Sequence, residues 1–120
     1  MLEAAVQRSN GRFTLMDILS DIVDGEQSLW VAMKDKEIIG CCTVRIVRYP
    51  TDLVTLSYEY LGGENVSVWI DEGHRVLSEY AREYGATRLE VPQGRRGWEP
   101  LLKKLGYKLF SYKFECNLED

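Results

Sequence analysis

The chain is short of the residues that most often carry chemistry. It has one histidine and three cysteines among 120 residues. Cys41 and Cys42 are adjacent, so in a strand they point to opposite faces, and Cys116 is far away. No CxxC or Cys/His ligand spacing exists, so no metal is expected; reduced thiols packed in strands are the reading of all three. Cys41 or Cys42 as a nucleophile lacks a base partner in any recognisable motif. His74 falls off the apolar stripe of its helix and reads as a surface residue. Long apolar runs are missing too. No stretch approaches the roughly 20 apolar residues of a membrane span, and the first residues lack a secretory core. A soluble, cytoplasmic protein without a membrane span is expected. Finally, a basic surplus is absent. Fifteen Lys and Arg face nineteen Asp and Glu, for a net charge of −4. Dedicated nucleic-acid binders usually carry the opposite balance.

What is present suits one domain, residues 1–120. Hydrophobic residues make up 45% of the chain. A chain of this size buries a core without disulfide or metal staples. Thr14 to Asp24 reads as a helix. Leu15, Ile18, Leu19, Ile22 and Val23 share one face. Thr14 and Asp17 have capping-box spacing, and Gly25 is the stop. A short helix over residues 2–8 would precede it. Three strands follow, at Ser28–Lys34, Glu37–Arg48 and Leu53–Leu61, with links short enough for an antiparallel meander. In the third, Val54, Leu56, Tyr58 and Tyr60 are expected on one face. Gly62-Gly63-Glu64-Asn65 leads into the longest helix, Val66 to Tyr84. A short strand follows at 87–91, then a loop, a helix at 98–105 that admits Pro100 in its first turn, and a last strand at 107–117. The order is α, βββ, α, β, α, β. It implies an α+β fold, a mixed and mostly antiparallel sheet of about five strands flanked by helices.

This order, with the Leu105-Gly106-Tyr107 step, resembles the GNAT superfamily of acyl-CoA N-acyltransferases over nearly the whole chain. Trp69 to Tyr84 and Gly85 to Val91 are similar to the family's central helix and the strand after it. Gly94-Arg95-Arg96-Gly97-Trp98-Glu99, with Leu102 and Leu105-Gly106-Tyr107, is similar to a pattern of GNAT-like proteins encoded by bacteriophages, some of them internal virion proteins. GNAT domains are usually longer, and the shortfall here is at the N-terminal end, where acceptor-binding helices would sit.

The resemblance implies a cofactor, acetyl-CoA, with its diphosphate on backbone N–H groups at the start of the central helix. Gly62, Gly63, Asn65 and Ser67 stand at that place. Arg95 is a further anion-binding candidate. The loop departs from the family's Gln/Arg-x-x-Gly-x-Gly/Ala, and Glu64 adds a negative charge beside the diphosphate. A glycine pair before a helix is often only a turn. The family's acid, a Tyr four residues before the Gly of the Gly-aromatic step, is replaced by Leu102. Glu59 is the candidate general base, against its alternative as a plain polar strand residue.

Three functions are therefore weighed. The first is a phage-type GNAT-fold protein with a degenerate CoA site, acting through protein contacts in a virion or its assembly. The second is an active acetyl-CoA-dependent N-acetyltransferase on a small or protein amine. The third is a weak binder of nucleic acid through Arg95-Arg96, Lys103-Lys104, Lys108 and Lys113, disfavoured by the acidic tail. Protein partners or self-association are expected. Phe110, Tyr112 and Phe114 on the last strand would mark an interface if exposed, and a final strand is an edge able to pair with another subunit.

Overall fold

The first helix begins where local hydrogen bonding dictates. Thr14 Oγ1 accepts from the Asp17 N–H at 3.2 Å, and Asp17 Oδ2 accepts from the Thr14 N–H at 2.8 Å. That reciprocal pair is a capping box. The bond from the Thr14 backbone, then that from its hydroxyl, lowers the Asp17 pKa. In the computed structural model, which describes residues 2, 6–7, 11–63, 66–92, 94 and 96–118, helix α1 spans Leu15–Val23. Gly25 follows at φ 80°, a conformation glycine adopts without penalty. Val6 and Gln7 are helical, and the rest of the expected N-terminal helix, apart from Leu2, lies outside the described residues.

Strands β1 (Ser28–Lys34), β2 (Glu37–Arg48) and β3 (Val54–Gly63) form the antiparallel meander. Asp35 and Lys36 both take positive φ in the first turn, as a two-residue hairpin requires. Helix α2 (Val66–Glu83) then leads to β4 (Arg88–Glu90), which lies parallel to β3. A 3₁₀ turn at Arg96–Trp98 precedes helix α3 (Glu99–Lys104), with Pro100 in its first turn. The sheet order is β1-β2-β3-β4.

Two cores form, one on each sheet face. Cys42, Val44, Val54, Leu56, Tyr58 and Leu61 pack against Leu77 and Ala81 of α2. Ile18 of α1 packs with Tyr60 on the other face. The expected single face for Val54, Leu56, Tyr58 and Tyr60 therefore breaks at its end. Thr43 lies opposite Tyr60 and Val44 opposite Tyr58, so Glu59 is an extra residue in β3. Such a β-bulge breaks strict alternation, and Tyr60 turns to the α1 side.

One further expectation is corrected. The sheet has four strands rather than about five, because 107–117 joins no strand among the described residues. Phe110, Tyr112, Phe114 and Leu118 are exposed. Alternation alone does not make a strand. Backbone partners do, and none of the described strands supplies them.

Candidate functional site

The sheet forks at the middle of β3. β4 pairs with β3 only from Thr55 to Ser57. From Tyr58 onward, β3 is paired to β2 alone among the described strands. Glu59, Gly62 and Gly63 all lie on this half-open stretch, and Ser67 follows in the first turn of α2. The fold thus brings these four candidates to one end of the sheet. Asn65 and Arg95 lie outside the described residues, as does Glu64.

Each candidate has a distinct setting. The Glu59 carboxylate lies 3.6 Å from Arg45 Nε, with its side chain 26% exposed. Arg45 also reaches Asp21 of α1 at 3.4 Å. Glu59 is therefore one end of an Asp21–Arg45–Glu59 bridge across the α1 face. Burial, then the charges of Glu59 and Asp21, pushes the nearby Tyr60 phenol up to about 12. Beside this bridge the sheet floor is polar, with Thr43, Thr55 and Ser57 buried. Further along, Tyr49 and Thr55 both donate to Glu90, at 3.0 Å to the same carboxylate oxygen.

Gly63 is held in place by packing. Gly63 sits opposite Gly40 and takes φ 126°. A Cβ on Gly63 would lie 2.6 Å from both the Gly40 Cα and the Ile39 carbonyl oxygen. A Cβ on Gly40 would in turn strike the Trp69 ring at 2.5 Å. The two backbones and the indole fit only because side chains are absent at both positions. Gly62 is buried, whereas Ser67 is exposed at the helix start. The first turn of α2 carries no acidic side chain among the described residues.

On the α2 face, His74 is half-buried rather than a free surface residue. Its Nδ1 lies 3.2 Å from the Tyr107 hydroxyl, with ring centroids 5.4 Å apart. Tyr107 is pushed up to about 12 by burial. Tyr58 rises further, by burial first and by the neighbouring Tyr107 second. Both phenols are thus neutral over the physiological range. Leu102, at the place of the family's acid, is half-buried on α3 and has no proton to give. Cys42 is held as a thiol near 12 by burial, then by Cys41, and is no nucleophile at neutral pH.

Among the described residues, two of the surface grooves are the best formed. The larger, about 690 Å³, runs along the edge of β2 past the start of β1, between Arg45–Arg48 and Tyr80 and Tyr84. It lies away from the α2 N-terminus. The smaller, about 420 Å³, lies beside β4 and is lined by His74, Arg82, Arg88 and Leu89. Among the described residues no group of His, Cys, Asp and Glu could hold a metal ion. Of the basic residues in the C-terminal third, Lys103 pairs with Glu99 at 3.0 Å and Lys113 with Glu115 at 3.8 Å.

No family model and no curated protein matches the chain. Solved structures do. A putative acetyl transferase from Pyrococcus furiosus superposes with TM-score 0.71 at 16% identity, over 98% of this chain and 89% of that one. A ribosomal-protein-alanine N-acetyltransferase from Brucella melitensis gives 0.68 at 14% identity, over 98% and 88%. A predicted acetyltransferase from Clostridium acetobutylicum, solved with acetyl-CoA, gives 0.67 at 16% identity, over 96% and 83%. The fold is GNAT-like. At these identities the likeness fixes the GNAT-like architecture alone. No helix among the described residues is long and apolar enough to cross a membrane.

Sequence reasoning missed Arg45, which ties Glu59 to Asp21, and the His74–Tyr107 contact. An arginine inside the β-branched run Val44-Arg45-Ile46-Val47 was the available signal for the first. Nothing local signals the second, which joins residues 33 positions apart.

Proposed function

We propose that this chain is a GNAT-fold protein whose transferase site has degenerated and which acts through protein contacts, in a virion or its assembly. One observation carries this reading. Gly63, one of the two glycines that would cradle a diphosphate, is accounted for by strand packing, since a Cβ there would lie 2.6 Å from β2 backbone atoms. Leu102 adds to it, because the family's acid position is apolar. Glu59 is tied to Arg45 instead of standing alone, which suits a structural ion pair. A fold hosts many functions. A structural neighbour described as a transcriptional regulator from Bacillus halodurans, with TM-score 0.66, belongs to the same architecture. The phage assignment, and with it a place in the host cytoplasm or the virion, rests on the resemblance of the 94–107 segment.

The second reading is an active acetyl-CoA-dependent N-acyltransferase with Glu59 as base. The half-open stretch of β3 favours it, as does a neighbour solved with acetyl-CoA. Thermal unfolding with and without acetyl-CoA separates the two. The degenerate site predicts no shift at any concentration and no release of free CoA thiol with amine acceptors. Saturable stabilisation, or turnover, would overturn it.

A further inference from the structure

The C-terminal segment has the pattern of a strand and joins no strand among the described residues. From Phe110 to Leu118 its even positions are Phe, Tyr, Phe, Cys and Leu, and its odd positions Ser, Lys, Glu and Asn. That is a clean two-residue alternation, the pattern of a strand with one covered face. Yet Phe110 is 98% exposed, Phe114 89% and Leu118 96%. Exposed apolar surface of this kind marks an interaction site. The chain's radius of gyration is 15.0 Å, against about 13–14 Å for a compact domain of this length. Its longest dimension is 52 Å, and the segment is tied to the rest of the chain through the Arg12–Glu115 ion pair.

The segment is also complementary to itself. We propose that 110–118 pairs antiparallel with the same segment of a second copy, across a two-fold axis at Phe114. Phe114 then faces its own copy, Tyr112 faces Cys116, and Phe110 faces Leu118. All of these lie on one apolar face. On the polar face Lys113 meets Glu115 twice, once in each direction, and Ser111 meets Asn117. The charges select this register. Moving the axis by one residue sets Lys113 against Lys113 or Glu115 against Glu115, and like charges directly opposite are destabilising. Moving it to Tyr112 sets Lys113 against Ser111 and Glu115 against Leu109. An odd offset sets every apolar position against a polar one.

Glu115 already meets Lys113 of its own chain at 3.8 Å, and also Arg12. The second lysine therefore comes to a carboxylate already set among cations. The pairing is isologous, so it closes at two copies. Edge-to-edge pairing leaves the apolar face of the ribbon uncovered, so the three aromatics per copy bury only part of the about 150–250 Å² each could, less than roughly 1,000 Å² in all. That is below the lower limit of specific interfaces, about 1,200 Å². The dimer is accordingly weak, and covalent trapping is the way to see it.

The inference is independent of whether acetyl-CoA binds. Its test is a Tyr112→Cys variant of the full chain under mild oxidation. The introduced thiol then lies opposite Cys116 of the other copy, and most of the chain should run as a reducible dimer. Wild type should stay monomeric on the same gel, because its two Cys116 residues lie four positions apart across the pair. Ser111→Cys should also stay monomeric, because its thiol points to the polar face. Sedimentation of the unoxidised protein gives a second readout, with Phe114→Ser expected to weaken association at least tenfold. Equal cross-linking of the Ser111 and Tyr112 variants would overturn the register. No cross-link in the Tyr112 variant, with a wild type monomeric at every concentration, would overturn the proposal.

Discussion

In β3, Val54, Leu56 and Tyr58 alternate with Thr55 and Ser57, and all five are buried. In the C-terminal segment, Phe110, Tyr112 and Phe114 alternate with Ser111 and Lys113, and all five are exposed. The two stretches have the same period and a similar composition. β3 differs in having β2 along one side, β4 along part of the other, and a helix on each face. Burial of apolar side chains needs an opposing surface as well as a pattern. Where the chain supplies that surface the pattern becomes a core strand, and where no described element supplies it the side chains stay exposed.

The largest effect that sharpens this contrast is Leu56→Ala. Leu56 is fully buried, and losing it should cost about 2–5 kcal/mol. Phe110→Ala should stay within about 0.5 kcal/mol in the isolated chain, as for an unpacked surface residue. Denaturant midpoints of the two variants at low concentration measure both. Equal losses would mean that the C-terminal segment is packed in solution.

Gly40→Ala should come next. Its Cβ would strike the Trp69 ring at 2.5 Å, so overpacking of about 1–3 kcal/mol is expected. Gly63 adds φ 126° to a similar clash, so Gly63→Ala should cost at least as much. The same unfolding curves report this. A neutral outcome at both positions would free the glycines for ligand binding and weaken the degenerate-site reading.

A separate effect is alkaline. Tyr60 and Tyr107 rise from 10.0 to about 12 on folding, mainly by burial. Below pH 10 both phenols are protonated in the folded and unfolded chains, so their titration leaves stability unchanged there. Between pH 10 and 12 the unfolded chain loses these protons first, so stability falls as pH rises. Unfolding midpoints measured across that range should decline steadily. A flat profile would contradict burial of these two rings.

Much of the fold was legible because its signals are local. The Thr14–Asp17 box joins residues three apart. The glycine stops and the long α2 stripe are local as well. The bulge at Glu59 was not legible, because it is a mismatch between two strands and leaves no mark on either alone. The candidate site was readable mainly as a place. Glu59, Gly62, Gly63 and Ser67 do converge on one end of the sheet. What each residue does there depends on distant partners, namely Arg45 for Glu59 and Gly40 for Gly63. The missing fifth strand failed for the same reason in reverse, since its pattern was plain and no described strand pairs with it.

Hydrogen exchange of the backbone amides from Lys108 to Leu118, followed as protein concentration rises, tests this account most directly. Those amides should exchange freely in dilute solution. They should gain protection together as copies pair, while the β3 amides stay protected throughout. Protection of the segment that is already complete in dilute solution, or absent at every concentration, would contradict the account.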